Sequence, residues 1–242
     1  MCTANPNMKT NSSNALAQIH TLFFDLDNKL LDFLSDERAA LKKTFCAAGL
    51  TYSDAIHAQY RRISEDLWAA HEREEISLDA LLAGRFSQLF ASLDILGIDG
   101  TVFNAQYQTY LASEHHLMPG ALKTVQTLHT RYALYAASNG IAQTQRKRLQ
   151  MAGLLPYFTA IFVSQEAQAQ KPSAAFFDYC FSRIPGFAPQ NGMIIGDSLT
   201  SDIAGGKTVG LTTCYLAPAN TLENPLADYT IHSLAALNCL LL

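Results

Sequence analysis

The sequence has no long apolar run. A membrane-spanning helix needs about 20 apolar residues, and even the leucine-rich end LAALNCLLL is far shorter than that. Residues 1–17, MCTANPNMKTNSSNALA, are polar and lack the apolar centre of a secretory signal. We therefore expect no membrane partner and no export, and we interpret residues 1–17 as a disordered tail.

Paired cysteines and an excess of positive charge are also missing. The five cysteines are scattered, without the CxxC spacing of zinc and redox sites, so a reducing cytoplasm is the simplest location. A formal net charge of -4 gives no electrostatic reason to expect a nucleic-acid polymer as partner. The seven histidines show no metal-binding spacing. Neither a zinc hydrolase nor a Ser-His hydrolase is indicated.

Hydrophobic residues are abundant, at 49% of the 242 residues, which is enough for one large domain or a core with a smaller insertion. Short apolar segments alternate with helix-like segments, a pattern typical of a parallel sheet with helices on both faces. The predicted strands are 21–26, 132–137, 160–164, 192–196 and 212–216. The sequence thus predicts an α/β fold with a doubly wound, Rossmann-like parallel sheet.

One long interval breaks this alternation. Residues 35–116 show helical patterning without a convincing strand, and Ser53 and Ser77 are placed to cap two of the helices. We interpret this interval as an inserted helical domain. Residues 18–34 and 117–242 would then form the domain that contains the sheet.

Carboxylates follow two of the predicted strands. Asp25 and Asp27 come after the first, and Asp197 follows strand 192–196, with Asp202 five residues later. Ligands of parallel sheets bind outside the carboxyl ends of the strands, so these acids are expected to converge. Converging acids require a cation, and oxygen-only ligands suit magnesium better than zinc. Taken singly, Asp197 could be a capping residue and Asp202 an acid in the first turn of a helix.

Two further polar segments are suited to phosphate. Ser138 and Asn139 follow a predicted strand and precede a helix, and they offer a hydroxyl and an amide to phosphate oxygens. Lys171 lies before the predicted helix that starts near residue 174. Each is weak evidence alone, since SNG is an ordinary turn and a single lysine is usually a surface charge.

The order of these segments is more specific than any one of them. DxD, SN, KP and GDxxxxD, each at or near a strand end, resemble the four motifs of the haloacid dehalogenase (HAD) superfamily. The resemblance implies a phosphohydrolase with Asp25 as nucleophile and Asp27 as general acid and base. It further implies that Ser138 and Asn139 hold the phosphoryl group and that Lys171 neutralises it.

The same resemblance implies a metal site. Asp25, Asp27, Asp197 and Asp202 would bind Mg²⁺, and residues 35–116 match the position of the family's helical cap. A phosphate dianion repels a carboxylate, so attack by Asp25 needs positive charge to offset this repulsion. The product of the attack would be an aspartyl-phosphate.

The helical interval is the better guide to the substrate. The segment YRRISEDLWAAHEREEISLDALLAGRFSQLF, and the later MPGALKTVQTLHTRYALYAASNG, resemble bacterial pyrimidine 5′-nucleotidases. This resemblance implies a small phosphorylated metabolite, a nucleoside monophosphate, as substrate. Tyr60, Trp68, Arg85 and Phe86 could line its base and sugar. The favoured alternative for each aromatic residue is that it belongs to the core of the helical domain, at helical spacing.

Lys29 departs from the family pattern, which carries Thr or Val at this position. An inward ammonium would favour ionised Asp27 and compete with Mg²⁺, whereas an outward one would cost little. If Lys29 perturbs the site, Lys29→Thr should raise turnover. Two alternatives stay open: another HAD activity, such as a phosphosugar mutase, phosphosugar phosphatase or dehalogenase, and a weakly active or silent phospho-ligand binder.

Overall fold

The computed structural model describes residues 16–242, so the predicted tail at 1–17 lies almost entirely outside the described residues. The described chain forms two compact units. The first, called here the sheet unit, comprises the chain up to Asp32 together with Leu117–Ala142 and Ala152–Leu242. The second, the helical unit, comprises Phe33–His116 and Gln143–Met151. The sequence-based division assigned residues 143–151 to the sheet domain.

The sheet unit contains a parallel sheet with the strand order β3-β2-β1-β4-β5-β6. Its strands are β1 (Thr21–Phe24), β2 (Ala133–Ser138), β3 (Ala160–Val163), β4 (Gly192–Gly196), β5 (Thr212–Leu216) and β6 (Tyr229–Ile231). The predicted fold class is confirmed, and the first five strands lie where the sequence predicts them. The edge strand β6 was not predicted.

Helices complete both units. The helices of the sheet unit are α5 (Ala121–Leu128), α7 (Ser164–Ala167), α8 (Ala174–Phe181), α9 (Ala204–Thr208) and α10 (Leu234–Leu241). Those of the helical unit are α1 (Phe33–Ala47), α2 (Asp54–Glu72), α3 (Leu78–Ser92), α4 (Gly100–Leu111) and nearly all of α6 (Ala142–Met151). Within residues 16–242, every helix is too short or too polar to cross a membrane.

The sheet is buried on both faces near its centre, and this explains why its strands are continuous apolar runs. All four residues of β1 are buried. Aromatic rings then stack across neighbouring strands: the ring centroids of Phe23 and Tyr135 lie 5.6 Å apart, as do those of Tyr135 and Phe162. This packing fixes the strand ends that carry the polar residues.

The helical unit has its own aromatic core. The Tyr60 and Phe86 rings stack with centroids 5.0 Å apart, and both side chains are fully buried. Arg85 is also buried and donates to Asn104 Oδ1. The interpretation of the aromatic residues as helical-domain core is therefore confirmed for Tyr60 and Phe86. Arg85, suggested above only as a residue that could line the base and sugar, is buried with them. Trp68 is half-buried.

Both predicted helix caps of this unit are confirmed. The Ser53 hydroxyl accepts from the backbone N–H of Ile56 at 3.3 Å, and the Ser77 hydroxyl accepts from that of Ala80 at 3.1 Å. Each bond satisfies one of the N–H groups that the first turn of a helix leaves without a partner. The starts of α2 and α3 follow from these serines.

Candidate active site

The sheet register brings two of the predicted acids together. Phe24, the last residue of β1, pairs with Ile195 of β4, and the Asp25 N–H donates to the Ile195 carbonyl at 2.9 Å. Asp197 follows Ile195 by two residues. Strand order reverses at β1 and β4, and the crevice at such a point is where α/β sheets bind ligands. Asp25 and Asp197 therefore lie where the sequence predicts a site.

Lys171 reaches the same point from a loop. Its ammonium lies 2.9 Å from Asp25 Oδ1 and 2.6 Å from Asp202 Oδ1, and its side chain is 2% exposed. The pairing with Asp202 was not anticipated from the sequence, which placed Asp202 among the metal ligands. Two carboxylates thus hold one buried ammonium in a fixed position.

Asn139 holds the backbone of Lys171. The Asn139 side-chain amide donates to the Lys171 carbonyl at 3.0 Å, and its Oδ1 accepts from the Lys171 N–H at 2.9 Å. The preceding Ser138 hydroxyl accepts from the Gly140 N–H at 3.1 Å and so shapes the same turn. The structure thus gives Asn139 a positioning role, while phosphoryl binding by Ser138 and Asn139 stays a prediction.

The turn after β1 directs Lys29 inward. Asn28 has a φ of 61°, a left-handed conformation that asparagine tolerates better than most residues. The N–H groups of Lys29, Leu30 and Leu31 all donate to the Leu26 carbonyl, which closes a tight turn. Because the chain reverses here, the Lys29 side chain returns to the end of the strand it has just left. The possibility of an outward Lys29 is excluded.

The Lys29 ammonium contacts both strand-end acids. It pairs with Asp25 Oδ2 and lies 2.5 Å from Asp197 Oδ1. The whole residue is only 3% exposed. Since Lys171 binds the other oxygen of Asp25, this carboxylate lies between two ammonium groups. Contact of Lys29 with Asp25 and Asp197 agrees with the expected competition for the carboxylates, and the expected effect of Lys29 on Asp27 stays a prediction.

Burial and the ion pairs shift the pKa values of these residues in opposite directions. Burial raises the pKa of Asp25, but Lys171 and Lys29 outweigh it and lower that pKa to about 2. Burial would lower the pKa of each lysine, but the neighbouring carboxylates raise both pKa values above the usual one, so both ammonium groups stay charged. Burial raises the pKa of Asp197, and Lys29 offsets this only in part.

The predicted magnesium site has suitable donors but is blocked by Lys29. Carboxylate oxygens of Asp25, Asp197 and Asp202 lie within 4.8 Å of one another, and such oxygens are ligands that Mg²⁺ prefers. Mg²⁺ requires its ligands at about 2.0–2.1 Å in octahedral geometry. The Lys29 ammonium contacts Asp25 and Asp197 from the position between them. With Lys29 in this position, the residues do not fit Mg²⁺.

Asp27 is half-buried and lies two residues beyond Asp25, next to the turn at Asn28. The structure pairs it with Leu31 in an isolated bridge, which fixes its backbone. Its predicted role as general acid and base stays a prediction, as does its metal ligation.

Gly196 makes room for the Asp202 carboxylate. Asp202 is 1% exposed, and its Oδ2 accepts from the Ser198 N–H at 3.2 Å. A Cβ atom at position 196 would overlap Oδ2, Cγ and Cβ of Asp202. The last residue of β4 must therefore lack a side chain if Asp202 is to bind Lys171.

Gly196→Ala is expected to lower the free energy of unfolding by about 1–3 kcal/mol, the usual cost of overpacking a well-packed site. Urea denaturation measures this change. Gly84→Ala is the matched control, because a Cβ there meets nothing closer than 3.8 Å and alanine favours a helix interior. An unchanged unfolding free energy for Gly196→Ala would contradict the close packing of Asp202.

Comparison with known proteins gives the family. The family described as haloacid dehalogenase-like hydrolase matches residues 19–210. HAD-hydrolase YfnB of Bacillus subtilis is 38% identical over 203 residues, which are 84% of this chain and 86% of YfnB. Pyrimidine 5′-nucleotidase PynA of Streptococcus pneumoniae is 39% identical over 204 residues, 84% of this chain and 85% of PynA.

Two further comparisons extend over more of the chain. Pyrimidine 5′-nucleotidase YjjG of Escherichia coli is 27% identical over 223 residues, 91% of this chain and 96% of YjjG. The crystal structure of YfnB bound to magnesium superimposes with a TM-score of 0.86 at 37% identity and covers 92% of this chain and 98% of YfnB. This chain belongs to the haloacid dehalogenase-like hydrolases.

Proposed function

We propose that this protein is a phosphomonoesterase that removes phosphate from nucleoside monophosphates through an aspartyl-phosphate intermediate. The observation that carries the proposal is the Asp25 carboxylate, which is ionised and lies between two buried ammonium groups at the carboxyl end of the central strand. A phosphatase is the activity that the family membership and the names of the relatives support.

In the first half-reaction, an oxygen of Asp25 attacks the phosphorus atom. The bond from phosphorus to the carboxylate oxygen forms as the bond to the nucleoside oxygen breaks. Lys171, which contacts Asp25, offsets the negative charge that accumulates on the phosphoryl oxygens. Asp27 donates a proton to the leaving nucleoside oxygen.

In the second half-reaction, water hydrolyses the aspartyl-phosphate. Asp27, now ionised, takes a proton from the water as it attacks phosphorus. The bond between phosphorus and Asp25 breaks, which releases inorganic phosphate and restores the Asp25 carboxylate. Each residue ends the cycle in the protonation state in which it began.

The position of Lys29 conflicts with one part of the sequence-based prediction, the binding of Mg²⁺. When bound to an acid cluster of this kind, Mg²⁺ supplies charge to the transferring phosphoryl group. Asp25, Asp197 and Asp202 are the residues that would hold it, once Lys29 had left its position between the first two. No step above depends on the ion.

A panel of phosphate esters tests the substrate class. Phosphate release is measured for pyrimidine and purine nucleoside monophosphates and for sugar phosphates, each with and without Mg²⁺, and halide release is measured for a haloacid. We expect kcat/KM for pyrimidine nucleoside monophosphates to exceed that for sugar phosphates at least about tenfold.

The other outcomes of the panel separate the alternatives. Halide release would indicate a dehalogenase, and interconversion of sugar phosphates without free phosphate would indicate a mutase. Ligand binding without turnover across the panel would indicate a silent phospho-ligand binder. Each of these results would contradict the proposed function.

A further inference from the structure

We propose that the Lys29 ammonium is the built-in cation of this active site. It takes the position between Asp25 and Asp197 that a divalent ion would hold, so that phosphoryl transfer by this chain proceeds without a metal. This inference rests on the proposed function and deepens it, because it assigns the charge that makes attack by Asp25 possible.

Contacts place the ammonium where a metal ion would have to bind. Lys29 Nζ pairs with Asp25 Oδ2 and lies 2.5 Å from Asp197 Oδ1, so that it bridges the acids that follow β1 and β4. These two acids belong to the cluster whose oxygens lie within 4.8 Å of one another. Bridging carboxylates from two strands is the structural task of a bound cation.

The position of Lys29 is built into the fold. Its side chain is 4% exposed, so little of it meets solvent and its carboxylate partners hold the ammonium. Three consecutive N–H groups, beginning with that of Lys29, donate to the Leu26 carbonyl and fix the turn that directs it inward. A metal ion could enter only by displacing a buried ammonium from its partners, and a buried charge without a partner is costly.

The charges of the cluster are already nearly balanced. Lys29 and Lys171 offset two of the three negative charges of Asp25, Asp197 and Asp202. A divalent ion added to this cluster would leave it with a net positive charge. Before substrate binds, the electrostatic demand for a metal is therefore smaller than it would be for three bare carboxylates.

An ammonium can also perform the chemical work of the ion. It has three N–H donors, so after binding Asp25 and Asp197 it can offer one to an oxygen of the transferring phosphoryl group. Charge on that oxygen is stabilised while the bond from phosphorus to Asp25 forms and the bond to the leaving oxygen breaks. Lys29 carries one positive charge where Mg²⁺ carries two, so metal-free turnover should be slower than magnesium-assisted turnover.

Chelation of the full-length protein tests the proposal. Turnover of a pyrimidine nucleoside monophosphate is measured after exhaustive dialysis against EDTA, and again after addition of Mg²⁺. We expect the wild type to change less than about twofold between the two conditions. Lys29→Thr is expected to lose turnover about 10²-fold in EDTA, the usual effect of removing one stabilising donor, and to recover beyond the wild-type rate with Mg²⁺.

Direct metal binding gives a readout that does not depend on activity. Mn²⁺, a spectroscopic substitute for Mg²⁺, is titrated into each protein and the bound fraction is measured by electron paramagnetic resonance. Lys29→Thr should bind one Mn²⁺ at least about tenfold more tightly than the wild type. Lys123→Thr is the matched control, because Lys123 is an exposed lysine of α5, and its behaviour should match the wild type in both assays.

The results separate this proposal from the proposed function. Loss of wild-type turnover in EDTA with recovery in Mg²⁺, or equal Mn²⁺ affinity of the wild type and Lys29→Thr, would overturn the role of Lys29 and leave the phosphatase standing. Absence of phosphate release from both proteins in every condition would overturn the proposed function, and the catalytic role of Lys29 with it. The two wild-type measurements decide the question even if Lys29→Thr does not fold.

Discussion

Asp25→Asn should reduce phosphate release at least about 10³-fold, because loss of a nucleophile removes the covalent route altogether. Asparagine keeps the shape of the side chain but cannot form the acyl phosphate. The carboxylate is ionised at neutral pH despite its burial, because Lys171 and Lys29 outweigh the effect of burial and lower its pKa to about 2.

Labelling of the protein tests directly for the covalent intermediate. Acid quenching with a substrate that carries radiolabelled phosphate should label the wild type, and hydroxylamine should release the label as expected for an acyl phosphate. Asp25→Asn should stay unlabelled. Asp178→Asn is the matched control, because Asp178 is exposed on α8 of the same unit, and its labelling should equal that of the wild type.

Stability must be measured alongside turnover. Because the native pKa of Asp25 lies below its ordinary value of 3.8, its ionised form stabilises the fold at pH above that value, and this contribution is lost as the pH falls towards 2. Asp25→Asn should therefore unfold more easily at neutral pH. A folded Asp25→Asn protein that retains turnover and label would contradict the assignment of the nucleophile.

The sheet was predictable because burial leaves a direct trace in the sequence. Strands β1 to β5 are short apolar runs followed by polar turns, and their order along the chain implies a parallel sheet. Strand β6 escaped prediction because it has only three residues, Tyr229–Ile231, two of which are half-buried. Such a segment cannot be distinguished from a loop by its pattern.

The approach of Asp25, Asp197, Asp202 and Lys171 was predictable from topology, because their segments lie at the carboxyl ends of parallel strands. The inward direction of the Lys29 side chain was not predictable in this way. It depends on one left-handed residue, Asn28, and on the turn closed at Leu26. The spacing of four residues between Asp25 and Lys29 was the available signal, but the same spacing fits an outward side chain equally well.

Contacts between segments distant in sequence were also beyond prediction. Arg148 pairs with Asp36 within the helical unit, although 112 positions separate them. The helix expected after Asn139 is α6, but nothing in its pattern shows that residues 143–151 group with residues 33–116. Periodicity reports which face of a helix is buried, not which element covers that face.

Asp36→Ala should lower the free energy of unfolding by about 3–5 kcal/mol, because it leaves the buried Arg148 guanidinium without its carboxylate. Arg148 is 1% exposed and Asp36 is fully buried. Asp36 Oδ2 accepts from Arg148 Nη2 at 2.7 Å and from Nε at 3.2 Å. Its Oδ1 accepts from the His116 N–H at 2.9 Å. One carboxylate therefore accepts hydrogen bonds from two separate segments.

Urea denaturation of a double-mutant cycle measures this coupling. Replacing both partners with apolar residues, in Asp36→Leu with Arg148→Met, should cost less than the sum of the two single changes, because neither charge is then left buried alone. Asp54→Ala is the control, since its pair with Arg38 is exposed and should cost no more than about 1 kcal/mol. Equal costs for Asp36→Ala and Asp54→Ala would show that the buried pair does not stabilise the helical unit.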